Sequence, residues 1–301
     1  MIKFEKLKNT DYKFLKETAK KSFFEHSFYC PASILMWNEC VNSYYFSRLE
    51  KGLLIMEEGE DHPQKKRLLM PFDEKRYSPL ELSDILKDAG LKSFYYCPDN
   101  YFSQGISQAE EFFNIYVQED SCDYIYDTQD LALLKGSKYS KKRNLIYQFE
   151  KNFVETGLTE VLVINQTNAA DILSISQTWK DQKEAQELMD IMECEFKAID
   201  KAVKNWEEFE LFGVSVYIDK KIAGFALGSF LNSKTADLNF EKARKDIKGL
   251  YQFLDREFAK SIPSEFSFIN KESDMGIPGL AKAKSSYHPV KKLKSYILEL
   301  K

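Results

Sequence analysis

With 301 residues, 44% of them hydrophobic and 14% aromatic, the chain can bury a core large enough for two domains of ordinary size. Its net charge of −4 excludes polyanion binding through bulk charge and confines any such contact to a local patch. Twelve glycines and eight prolines exclude a collagenous or low-complexity chain.

In chain order, Ile2–Lys6 reads as a strand, and Asn9 or Thr10 caps a helix running to about Lys21. Ala32–Val41 comes next as a second helix. Tyr44–Leu49 and Leu53–Glu57 form a hairpin turning at Lys51-Gly52, with a further strand at Lys66–Met70. The pattern then gives a helix at Pro79–Ala89, a strand at Phe94–Cys97, a helix at Gln108–Val117 and a strand at Asp123–Tyr126. Thr128–Phe153 connects the halves as one or two helices, with a boundary near Glu155-Thr156-Gly157.

The second half opens with a strand at Glu160–Ile164. Asn168 caps a helix carrying Ile172, Ile175 and Trp179, and a long helix spans roughly 184–205. Phe212–Ile218 and Ile222–Phe230 are apolar runs joined by Asp219-Lys220-Lys221, a hairpin. Alternation in Ala236–Glu241 sets Asp237, Asn239 and Glu241 on one face of a strand, Leu238 and Phe240 on the other. A helix over Leu250–Lys260 buries Leu250, Phe253, Leu254 and Phe258. Phe266–Asn270 is a strand, Gly279–Ser286 a helix and Tyr296–Leu300 a final strand. The order β-α-α-β-β-β-α-β-α-β thus appears in the second half and, nearly the same, in the first.

Five widely spaced cysteines without a C-x-x-C pair predict reduced thiols. The N-terminal residues lack the apolar core of a signal peptide. The most apolar window, Phe212–Leu231, is broken by Asp219-Lys220-Lys221, so no segment is expected to span a bilayer and a cytoplasmic location is predicted. His26 and Cys30 stand four apart without a second pair, so no metal is expected.

Three segments carry a family resemblance: Leu134-Lys-Gly-Ser-Lys-Tyr-Ser-Lys-Lys-Arg-Asn144; Asn239-Phe-Glu-Lys-Ala243 with Gly249-Leu-Tyr251; and Ile269-Asn-Lys-Glu-Ser-Asp-Met-Gly276 through Ala281-Lys-Ala-Lys-Ser-Ser-Tyr-His-Pro289. On these and on its element order the chain resembles the soluble family related to the C-terminal domain of phosphatidylglycerol lysyltransferases, within the GNAT acyltransferase superfamily. The resemblance implies an α/β (α+β) protein of two tandem GNAT-like domains, each a mixed, mostly antiparallel sheet flanked by helices. The domains would be 1–127 and 158–301, joined by a helical segment at 128–157 that bears a basic patch. It also implies transfer of an aminoacyl group, with aminoacyl-tRNA as a donor, to an amine or hydroxyl, but it does not imply the lipid substrate; the acceptor is expected to be a small molecule or a lipid head group.

A helix N-terminus beside a strand exit can hold an anion, so Arg244, Lys248, Gly249 and Leu250 are the expected cofactor-binding positions. The coenzyme-A loop of GNAT enzymes calls for a basic or amide residue before its glycines. Here Asp246 and Tyr251 occupy the outer positions and only Gly249 fits. Acyl-coenzyme A is therefore the less favoured donor, and a fold-retaining binding module or an ordinary acetyl-coenzyme-A N-acetyltransferase are the alternatives. Glu241, Glu272 and Asp274 sit at strand exits as candidate bases, with Tyr287 as candidate acid. Lys138, Lys141, Lys142, Arg143 and Asn144 at a helix start, with Lys282 and Lys284, form the expected anion or substrate contact, tRNA included. Cations at a helix start oppose the macrodipole by ~0.3–1 kcal/mol each, so an anionic partner would reverse the sign.

Overall fold

The computed structural model describes residues 2–40, 42–59, 66–181 and 186–301, with backbone alone at 178–181 and 186–191. From the N-terminus, β1 (Glu5–Lys6) leads to α1 (Tyr12–Lys21), α2 (Pro31–Trp37) and the antiparallel strands β2 (Asn42–Arg48), β3 (Leu53–Gly59) and β4 (Lys66–Leu69). Next come α3 (Pro79–Ala89), β5 (Ser93–Pro98), β6 (Phe113–Val117) and β7 (Asp123–Asp127). Ser78 caps α3 by accepting from the Glu81 N–H while Glu81 reaches back to the Ser78 N–H, and Gly90 closes the helix in the left-handed region.

The middle of the chain is α4 (Thr128–Leu133) and α5 (Ser140–Phe149). After these come β8 (Thr159–Val163), α6 (Asp171–Asp181), α7 (Gln186–Lys204), β9 (Phe212–Ile218), β10 (Lys221–Asn232) and β11 (Thr235–Ala243). The chain closes with α8 (Leu250–Ser261), β12 (Phe268–Ser273), α9 (Pro278–Ser285), β13 (Lys291–Leu293) and β14 (Ser295–Leu300).

The chain forms two mixed, mostly antiparallel sheets flanked by helices, the tandem GNAT-like architecture expected. Two sequence readings are corrected. The helix expected over Gln108–Val117 is a short 3-10 turn leading into strand β6, because Phe113 and Ile115 belong to an edge that pairs with β14. The pair β13 and β14 replaces the single final strand expected. Trp179, Val41 and the first two residues of the helix expected from 184 lie outside the described side chains or residues.

The sheets exchange strands. Their orders are β1-β2-β3-β4-β5-β14-β6 and β13-β7-β12-β11-β10-β9-β8. β14, from the end of the chain, sits between β5 and β6 of the first sheet, while β7 pairs with β12 and β13 in the second. A cut at residue 127 therefore separates β7 from the sheet it belongs to.

The core of the second sheet is β10, buried from Ala223 to Leu231 because helices pack over both its faces. That explains its nearly continuous apolar run. Helix α2 packs against α7, which brings the Cα atoms of Cys40 and Cys194 to 5.5 Å and joins the two in a disulfide. This corrects the expectation of five reduced thiols: residues 154 apart in sequence cannot be paired without knowing that the two helices meet. Cys30 and Cys97 remain buried free thiols and Cys122 a partly buried one. Among the described residues, no helix is long and apolar enough to cross a membrane.

Candidate active site

The site begins where two parallel strands part. β11 and β12 pair only at Thr235↔Phe268, Ala236↔Ile269 and Asp237↔Asn270. Beyond Asp237 and Asn270 the strands run on to Ala243 and Ser273 with no pairing between them. This unpaired stretch lies between the strand exits from which the sequence reading took its candidate bases.

Both strands carry a bulge at the parting. Leu227 pairs with Phe240 but Gly228 with Leu238, which leaves Asn239 as an extra residue in β11. In β12 the register slips between Asn270 and Ser273 against β7, and Glu272 takes a φ of 56°. A bulge adds a residue and so re-aims the side chains beyond it. Asp237 and Asn239 reach Cys30 at the start of α2, and Phe240 packs at 5.8 Å on Trp37 of the same helix. Glu241 turns instead toward α8. The single-face placement of Asp237, Asn239 and Glu241 is thereby corrected: the bulge breaks the alternation on which it rested.

On the α8 side, Lys271 of β12 lies 3.2 Å from Glu241 and makes a closer ion pair with Asp255 of α8. All three side chains are at most 16% exposed. One cation cannot neutralise two buried carboxylates, and Asp255 holds the nearer position. Burial, then the charge of Asp255, push the Glu241 carboxyl up to about 7 against the opposing pull of Lys271. The two carboxylates hold Lys271 charged although burial works against it. One Glu241 oxygen, Oε1, is buried without a hydrogen-bond partner. Above this group lies Tyr287, 5% exposed, whose hydroxyl also lacks a partner and is pushed well up by burial and then by Asp255. The Lys142 ammonium rests on the Tyr287 ring at 3.6 Å from its centroid, and Lys271 is 5.2 Å from the same centroid.

On the α2 side, Asp237 and Asp123 are fully buried, and Oδ1 of each lacks a partner. Asp123 accepts from the Ser27 N–H at 2.6 Å and the Asn270 amide at 2.8 Å, with His26 Nδ1 at 3.8 Å. Burial alone would raise it, but His26 and these donors hold it below its usual range. Asp237 is driven the other way, by burial and then by the charges of Glu272 and Asp123. Asn239 donates to Asp237 at 3.0 Å and accepts from Ser229 at 2.7 Å. Glu272 is raised to about 8, chiefly by burial, with Lys284 opposing and Asp123 and Glu195 adding to it.

Lys284 of α9 closes the end of the split. Its Nζ donates to the carbonyls of Lys271, Glu272 (3.1 Å) and Ser273, which the bulge turns toward it. It is thus a structural tie for β12 and not a free anion contact. Asp274 is likewise occupied, accepting from the Tyr124 hydroxyl and from the Gly276 N–H at 2.9 Å, which fixes the turn into α9.

At the loop from β11 to α8 the start of the helix is approached closely by α5. Gly249, with φ 86°, caps α8, and a Cβ there would lie 2.2 Å from the Leu145 carbonyl oxygen of α5. Helix α5 therefore covers that helix start. Arg244 is paired with Asp246 at 2.6 Å, Lys248 is exposed, and Leu250 is a wholly buried core residue. Of the basic patch, Lys138 pairs with Asp130 at 2.9 Å, and Arg143 donates to the carbonyls of Leu134 and Gly136, closing the end of α4. Lys141, Asn144 and Lys282 are exposed, and only Lys142 reaches the buried cluster. No group of three or more His, Cys, Asp or Glu among the described residues is arranged to hold a metal.

Sequence reasoning gave no site role to Lys271, Asp255, Asp237 or Asp123, and weighed His26 only as a metal ligand. The available signal was an acid, Asp255, inside the buried stripe of α8.

Residues 26–299 match the family described as phosphatidylglycerol lysyltransferase, C-terminal. The chain belongs to this family. Among solved structures, a conserved protein of unknown function from Bacteroides thetaiotaomicron VPI-5482 superposes with a TM-score of 0.86 at 27% identity, each chain covered in full. The C-terminal domain of a candidate lysylphosphatidylglycerol synthetase from Agrobacterium fabrum shares the fold, with a TM-score of 0.63 at 14% identity over 97% of this chain and 92% of the other. An uncharacterized protein of Mycoplasmoides gallisepticum is 22% identical over 184 residues, 61% of this chain. The match spans only 58% of that curated relative's length.

Proposed function

We propose that this member of the lysyltransferase C-terminal family transfers an aminoacyl group from an aminoacyl-tRNA ester to an amine or hydroxyl acceptor, with Glu241 as general base. The observation that carries the reading is Glu241 itself: a buried carboxyl at the exit of β11, in the unpaired part of the strand, titrating at about 7. A base poised near neutrality suits removal of a proton from an attacking amine or hydroxyl.

In this reaction the acceptor nitrogen or oxygen attacks the ester carbonyl carbon and its proton passes to Glu241. The bond from that carbon to the ribose oxygen breaks, and the ribose hydroxyl leaves with a proton. We assign that proton to the Tyr287 hydroxyl, which burial keeps protonated. Backbone N–H groups along the parting of β11 and β12 are the assigned donors to the developing oxyanion. Exposed Lys141 and Lys282 would attract the phosphates of the donor or of a lipid head group.

Family membership supports acyl transfer as the reaction class, and the covered helix start at Gly249 argues against coenzyme A as donor. A second reading, a binding module that has kept the fold, is favoured by Lys271, whose ion pairs tie up Glu241 and Asp255. Radiolabelled lysyl- and alanyl-tRNA, tested beside acetyl-coenzyme A with amine acceptors and phosphatidylglycerol vesicles, separates them. We expect transfer from charged tRNA and a loss of ~10²–10⁴-fold in Glu241→Gln. Transfer from acetyl-coenzyme A alone would overturn the donor. Silence with every donor would leave the binding module, and an unimpaired Glu241→Gln would remove the base.

A further inference from the structure

Lys142 stands apart from the other lysines of the cluster. Its Nζ lies against the face of Tyr287, and among the described residues it has no hydrogen bond or ion pair. Lysines 138, 271 and 284 each donate to a carboxylate or to carbonyls. The groups that face Lys142 are Asp255 of α8, Lys271 of β12, Glu241 of β11 and the Tyr287 ring. The Tyr287 ring positions this amine, while its half-burial and the Lys271 ammonium over the same ring disfavour its charged form, and the nearby Glu241 carboxyl can take its proton.

We infer that Lys142 is an acyl-accepting lysine, modified on Nζ by activated acyl donors (acyl phosphates, thioesters or esters) that enter the α8 side of the split. In the step, the neutral amine attacks the carbonyl carbon, a C–N bond forms and the bond to the phosphate, sulfur or ester oxygen breaks. A phosphate or thiolate departs as its anion and the ammonium proton passes to Glu241 or water, whereas an alkoxide departs carrying that proton. The product is a neutral amide on Tyr287, which removes one positive charge from the cluster and occupies the opening. An amide does not pass its acyl group on, so the modification would cap the site.

Protonation supports this geometry. Burial, and then Lys271 against the opposing carboxylates, bring Lys142 down to about 8. At pH 8 about half of it is the free amine, against well under ~1% of an ordinary lysine. Lys141, one residue away and exposed, is the internal control.

The chemical modification does not depend on the transferase reading, so acetyl phosphate is the probe. The wild-type protein is treated at pH 8 and the extent of acetylation at Lys142 and Lys141 followed by peptide mass spectrometry. We expect Lys142 to react about tenfold faster than Lys141, and Tyr287→Phe, which keeps the ring under the amine, to keep that preference. Equal or slower reaction at Lys142 in the wild-type protein would overturn the proposal. Failure of tRNA-dependent transfer in the separate assay would remove the proposed function and leave this result standing.

Discussion

At the residue scale, the buried carboxyls fix how stability responds to pH. Glu241 holds its proton up to about 7 in the folded protein, and Glu272 up to about 8, whereas the unfolded chain releases both near 4.5. Between those values the folded state binds more protons, so stability is lost as pH rises from about 5 to 8. For Glu241 alone the cost is on the order of 3 kcal/mol, at about 1.4 kcal/mol per unit. Thermal melts should show Tm falling across that range, with a shallower slope in Glu241→Gln; an unchanged slope would contradict the assignment. Lys271 is the stabilising charge of this cluster. Lys271→Met leaves Glu241 and Asp255 buried without their cation, and urea unfolding should show a loss of ~3–5 kcal/mol. Glu241 was legible in the sequence because an acid at a strand exit is unusual. Lys271 was not: one lysine beside Glu272 looks like surface charge until the parting of two strands draws it inward.

At the element scale, the decisive feature is the extra residue in β11. Alternation in Ala236–Glu241 gave the strand correctly but not the direction of Glu241, since a bulge is defined by pairing with β10 and leaves no mark in one strand's own pattern. Gly228, opposite it, has a hint: a Cβ there would sit 2.7 Å from the Asp237 carbonyl oxygen. The turn into α8 is similar. Its single glycine suggests an anion-binding feature, and the structure adds a second demand, the approach of α5. Gly249→Ala combines a left-handed φ with a clash against the Leu145 backbone. It should cost ~1–3 kcal/mol or more in chemical denaturation. A neutral effect would mean that α5 can move away from α8 freely. The helices α3 and α8 were readable nearly to the residue because their caps are local, whereas β6 was mistaken for helix because its strand character comes from a partner some 180 residues later.

At the scale of the whole molecule, the duplicated element order was legible and the exchange of strands was not, because pairing partners far apart in sequence have no local signature. Neither half carries its own complete sheet: β7 completes the second and β14 the first. Residues 1–157 and 158–301 produced separately should each be insoluble or aggregated by size-exclusion chromatography, and co-expression should recover a complex. Soluble, folded halves would show that each sheet tolerates the loss.

The position of β14 also bears on how the protein is born. A ribosome delivers the chain from its N-terminus, yet β6 has β14 as its only strand neighbour. The sheet synthesised first must therefore wait, with β5 bare along one edge, until residues near 300 have emerged. A nascent chain stalled just short of them would present an unpaired ribbon to its surroundings, which makes the last few codons translated in this region a checkpoint for maturation of the first hundred residues.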